Sequence, residues 1–123
     1  MSTLKDFITN VFGGEKNSPD MEIIQQIGKQ TGKELKPLPF EDIWRDNGYA
    51  LDKNTGQVKG LNLEGREIKY LSLLRGLSGL THLSLRYNRV TDLTPLSALT
   101  KLTRLYLNNN QLTDLTPLSA LTN

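Results

Sequence analysis

The chain has 123 residues, one domain's worth of length, with 15 Lys plus Arg against 13 Asp plus Glu for a net charge of +2, and no cysteine. That length excludes a multidomain machine or a full barrel enzyme, and the near-neutral balance gives no reason to expect nucleic-acid binding. The missing thiols exclude a disulfide scaffold, a thiolate nucleophile and a thiolate metal site, and no run of about 18 apolar residues is present to span a membrane.

In chain order, residues 1–17 read as an N-terminal helix and linker. Leu4, Phe7, Ile8, Val11 and Phe12 share one side, with Thr3 as the cap, and Gly13 to Pro19 is the linker. Asp6 and Asn10 interrupt the apolar run, so the segment does not read as a secretory leader. Unless a leader was removed before this numbering begins, the chain is expected in the cytoplasm. Lys5 is the only cation up to Phe12, which leaves a membrane-surface helix without its electrostatic attraction.

Residues 18–57 read as a mainly helical cap. Ser18-Pro19 starts a helix carrying Met21, Ile23, Ile24 and Ile27, which Gly28 and Gly32 weaken or end. Pro39 to Trp44 reads as a short amphipathic helix that places Phe40, Ile43 and Trp44 against the first coil. Asp52-Lys-Asn-Thr-Gly56 is a hairpin turn between Tyr49-Ala-Leu51 and Val58 to Leu63.

From Val58 onward the chain repeats every 22 residues. Leu80 to Lys101 aligns with Leu102 to Asn123 at 15 of 22 positions, and Val58 to Gly79 is a more diverged copy. The predicted units are 58–79, 80–101 and 102–123. Seven aliphatic positions recur in each, for example Leu80, Leu83, Leu85, Val90, Leu93, Leu96 and Leu99. Within a unit the spacing changes from i, i+2 to i, i+3, which neither a continuous helix nor a long strand explains. A coil that opens on a short strand, with Leu83 and Leu85 inward, and returns through a helical turn at Thr94-Pro95 or Thr116-Pro117 does. The predicted fold is α/β, a solenoid of short parallel strands.

The pattern L-x-x-L-x-L-x-x-N-x-hydrophobic-x-D-L-x-P-L-x-x-L resembles the 22-residue, internalin-like class of bacterial leucine-rich repeats. The resemblance implies a ladder in which Asn88 and Asn110 bond backbone groups after each strand, with Arg66 standing at that place in the first unit. It also implies a noncatalytic binding protein. The segment from Tyr49 to Leu63 also resembles the one leading into the repeats of bacterial Roco GTPases. No G-x-x-x-x-G-K-[ST] loop is present, so GTPase activity would belong to another chain or to a segment beyond this one.

No hydrolase, zincin or dinucleotide motif is present, and His82 is the only histidine, so no catalytic residue, cofactor or metal ligand is assigned. Asp92 and Asp114 recur one unit apart and read as acceptors for backbone N–H groups. Units two and three differ mainly at outward strand positions, where packing demands nothing. His82, Ser84, Arg86, Tyr87, Arg104, Tyr106, Asn108 and Asn109 are therefore the candidate contacts for a protein or peptide. Residues 58–123 carry +4 and residues 1–57 carry −2, an asymmetry too modest for nucleic acid. The end of the third unit is a candidate homodimer contact.

Overall fold

A computed structural model describes residues 18–121. The first helix, α1 (Pro19–Thr31), begins where Ser18 accepts the Met21 N–H on its hydroxyl at 3.1 Å, with Pro19 in the first turn. It ends at Gly32, whose φ of 75° is the left-handed conformation that glycine adopts without steric cost. Ile24 and Ile27 are buried in one core with Leu63, Leu71 and Leu74. The buried Asp20 carboxylate accepts the Val58 N–H at 2.8 Å, fastening the helix start to the second strand.

Strand β1 (Gly48–Leu51) pairs antiparallel with β2 (Val58–Asn62). The turn between them is held by Asp52, whose Oδ1 accepts the Asn54 and Thr55 N–H groups, while Gly56 takes φ 72°. Strands β3 (His82–Ser84) and β4 (Arg104–Tyr106) then add in parallel, giving the order β1-β2-β3-β4. Leu61, Leu83 and Leu105 stand in register. The backbone returns through 3₁₀ turns at Ser72–Gly76, Thr94–Ala98 and Thr116–Ala120.

The repeated leucines point where alternation puts them. Leu61, Leu63, Leu77, Leu80, Leu83, Leu85, Leu96 and Leu99 have no exposed surface. Complete burial is worth about 1.5–3 kcal/mol per leucine side chain before conformational entropy is charged against it. Toward β4 the packing thins, with Leu105, Leu107, Leu112 and Leu118 half-buried and Leu115 exposed. The resulting architecture is an α/β solenoid of short strands and helical turns.

Two expectations are corrected. The amphipathic helix over 39–44 is a single 3₁₀ turn, Phe40–Asp42, because Pro37 and Pro39 leave too few residues to nucleate an α-helix. Its side chains do not pack on the leucine layers of the first coil; Phe40 and Trp44 lie across the outward face of the strands. The expected helix in residues 1–17 lies outside the described residues.

Candidate protein-binding face

The outward side chains of the parallel strands form rows. Gly60, His82 and Arg104 make one; Asn62, Ser84 and Tyr106 make the next. Part of this face is covered by the chain itself. Ile43 is buried, and its carbonyl accepts the Asn62 Nδ2 at 2.9 Å. A Cβ on Gly60 would stand 3.2 Å from Ile43 Cγ1 and 3.3 Å from the Phe40 ring, so the missing side chain is what admits this segment. Phe40 meets the His82 ring edge-on at 4.7 Å, and Trp44 lies 5.9 Å from His82 and 5.0 Å from Tyr106.

This cover sorts the residues picked out by sequence. Ser84 is 2% exposed, between Asn62 and Tyr106 in its row and beneath rings that bridge His82 and Tyr106, so it is withdrawn from the accessible surface. His82 is half-buried with Nδ1 2.8 Å from the Thr81 hydroxyl; burial lowers its pKa below the ordinary 6.5, helped by the charges of Arg104 and Lys59. Arg86 stacks its guanidinium 4.2 Å over the Tyr106 ring, and its buried Nε makes no hydrogen bond. Arg104, Tyr87, Asn108 and Asn109 are exposed. Tyr87 and Asn109 hold φ of 57° and 63°, matching Gly65 at 70°, so each coil turns through a left-handed residue at this place.

Behind this turn the Asn88 amide is buried and fully engaged. Its oxygen accepts the Arg66 and Ile68 N–H groups at 3.0 and 2.9 Å, and its nitrogen donates to the carbonyls of Leu63, Leu85 and Arg86. Asn110 accepts the Val90 N–H at 3.0 Å and donates to the Leu85 and Leu107 carbonyls. Arg66, at the equivalent place, instead reaches backward. Its guanidinium donates to the Asn47 and Thr31 side chains and to the Lys33 and Glu34 carbonyls, tying the end of α1 to the first coil. Asn47 in turn donates to the Glu64 carbonyl at 3.0 Å.

Asp92 and Asp114 each accept a Thr N–H at 2.9 Å, from Thr94 and Thr116. The threonine hydroxyls, then these N–H groups, hold both carboxyls below the usual carboxylate range. Among the described residues no group of three or more His, Cys, Asp or Glu is arranged to hold a metal ion. None of the described helices is long and apolar enough to cross a membrane.

Sequence reasoning marked Arg66 only as a departure from the ladder and missed its grip on Asn47 and Thr31, along with the covering role of Phe40 and Trp44. The one available signal was Gly60, a glycine inside a strand, which marks a close approach.

Residues 78–120 match the family model described as Leucine Rich repeats (2 copies). A search of curated proteins gave no match. Among solved structures, the chain is similar to an internalin (inlF) from Listeria monocytogenes, with 26% identity and a TM-score of 0.54 over 85% of this chain. It spans 28% of that internalin's length. It is also similar to internalin C2 of the same organism, at 22% identity and TM-score 0.53, over 85% of this chain and 71% of that one; this second likeness speaks to fold alone. The Roco-like reading of residues 49–63 finds no support in these comparisons. The likeness to the inlF internalin also overturns the expected cytoplasmic location, because internalins are bacterial surface or secreted proteins. That expectation rested on the break at Asp6 and Asn10 in the leading apolar run.

Proposed function

We propose that this chain is a noncatalytic recognition module that binds a protein or peptide through the outward face of its parallel strands. The observation that carries the reading is the cluster at β3 and β4. Arg104 and Tyr87 are exposed there, Arg86 is stacked on Tyr106, and Asn108 and Asn109 continue the same rows. Tyrosine and arginine are the residue types that dominate binding hot spots, and a pre-stacked pair loses less freedom when a partner arrives. The internalin likeness supports a binding rather than a catalytic role. In this reading residues 18–57 cap three coils, 58–79, 80–101 and 102–123, behind the leading segment 1–17. The first coil is the atypical one, since Arg66 replaces the ladder asparagine.

The test is to isolate partners on the immobilised chain and then titrate the partner so identified against the Arg104→Ala, Tyr106→Ala double variant. The expected loss of affinity is tenfold or more with the far-UV spectrum unchanged. Equal affinity in a folded variant overturns the reading.

A second reading is self-association at the β4 side. It is favoured by exposed Leu115 and by Leu105, Leu118 and Leu121, which line a cleft of about 190 Å³ with Leu102. Sedimentation over a hundredfold concentration range tests it; a constant monomer mass excludes it.

A further inference from the structure

We infer that the strand face carries a separate subsite for a cationic side chain, an arginine of the partner, in the cleft between Trp44 and Tyr87. The cleft holds about 360 Å³ and is lined by Trp44, Arg45, Asp46, Asn47, Asn62, Glu64, Gly65 and Tyr87. Most of its polar groups are already committed. Asp46 pairs with Lys36 at 2.6 Å, and Arg45 lies 3.6 Å from Asp42. The Asn47 and Asn62 amides are used on both their oxygen and nitrogen atoms.

Apart from the Arg45 guanidinium, whose side chain is 82% exposed, what stays unspent is anionic or aromatic. The Glu64 carboxylate makes no ion pair or hydrogen bond among the described residues. Trp44 and Tyr87 keep 38% and 55% of their surface open, and neither the indole N–H nor the phenol is engaged. Gly65 presents open space, with nothing within 4 Å of where a Cβ would stand. Two aromatic rings and one free carboxylate around an open floor suit a guanidinium, which stacks on rings and donates to a carboxylate in one plane. Tyr87, which lines the cleft, holds a left-handed backbone, φ 57°, at a conformational cost that a tyrosine does not ordinarily bear.

The site rests on the strand-face reading only in opening on the same surface, and it is tested without the partner. Hexa-arginine amide, its uncharged citrulline counterpart and hexaglutamate are titrated at low ionic strength. The readouts are the fluorescence and indole N–H resonance of Trp44, the only tryptophan in the chain. The expected result is saturable binding of hexa-arginine, at least tenfold weaker for citrulline. Glu64→Gln should weaken it by about three- to tenfold, and Tyr87→Asn, which suits the same backbone, by a similar factor. Hexa-arginine binding that ignores both variants, an unmoved Trp44 signal, or tighter hexaglutamate binding drawn by Arg86 and Arg104 overturns the subsite. Any of these results with partner capture still dependent on Arg104 and Tyr106 sinks the subsite alone. Capture that ignores those two residues sinks the strand-face reading and leaves the probe result standing.

Discussion

The indole of Trp44 meets the Tyr106 ring edge-on, with centroids 5.0 Å apart and planes at 88°. A residue that precedes all four strands is thereby packed on β4. Edge-to-face pairs contribute about 0.5–1.5 kcal/mol beyond area burial. A double-mutant cycle with Trp44→Ala and Tyr106→Ala, read by urea unfolding, should return a coupling in that range; additive losses would mean the two rings are merely neighbours.

Gly60→Ala should be destabilising although alanine suits a strand better than glycine. Its methyl would press on Ile43 and Phe40 at 3.2–3.3 Å. Overpacking of this kind costs about 1–3 kcal/mol. A red shift of Trp44 emission, showing the covering segment displaced, should accompany the lower midpoint. A more stable protein with unshifted emission would contradict this account.

The two asparagines behind the turns should differ in cost. Asn88 is buried, and its removal orphans the Arg66 and Ile68 N–H groups and strips its donor from the Leu63 carbonyl, while the Leu85 and Arg86 carbonyls keep Asn110 and the Gly65 N–H; Asn110 is half-buried and serves fewer partners. Asn88→Ala should lose about 2–4 kcal/mol and Asn110→Ala about 1–2 kcal/mol, since each unpaired buried group costs on the order of 1–3 kcal/mol. Chemical denaturation of the two variants checks the order.

Tyr87→Asn should stabilise the fold by about 0.5–1 kcal/mol. Its φ of 57° strains a bulky side chain, whereas asparagine visits that region readily, as Asn109 does one coil later. The ring is largely exposed, so little packing is lost. Thermal unfolding should show a higher midpoint, opposite in sign to the effect on hexa-arginine binding.

His82 should make the fold sensitive to mild acid. Its pKa is lowered in the folded chain, by burial first and then by Arg104 and Lys59, so the unfolded state binds the proton more tightly. Stability therefore falls as pH drops through the ordinary value of 6.5, and the fall stops below the folded value. His82→Gln should flatten the difference in melting temperature between pH 7 and pH 5 relative to the parent chain. His82 is the only histidine, so an equal difference in both proteins would remove it as the cause.

The inward leucines were legible because burial is enforced locally: alternation along Leu83 and Leu85 leaves one face for the core, and the 22-residue period repeats it. Phe40 and Trp44 were not legible in the same way. A six-residue stretch shows that its apolar groups cluster, yet both faces of the first coil would accept them. The choice is made at long range by the vacancy over Gly60 and by the Asn62 bond to the Ile43 carbonyl. The end face of the leucine layers already has Ile24 and Ile27 against it. Ser84 followed the same error, since an outward strand position is open only where nothing folds back over it. Arg66 showed itself as a departure from the pattern, but its grip on Thr31 and Asn47 depends on where α1 ends.

Near-identical coils stack on one another in any sequence, so the repeat by itself does not say which unit leads. The row of Gly60, His82 and Arg104 breaks that degeneracy. Only the unit lacking a side chain there gives Ile43 and Phe40 a seat, and a histidine or arginine in its place would turn the aromatic segment away. That glycine and the Asn62 amide together mark the leading unit, and a shuffled version with its units exchanged would keep its leucine interior while losing its aromatic roof.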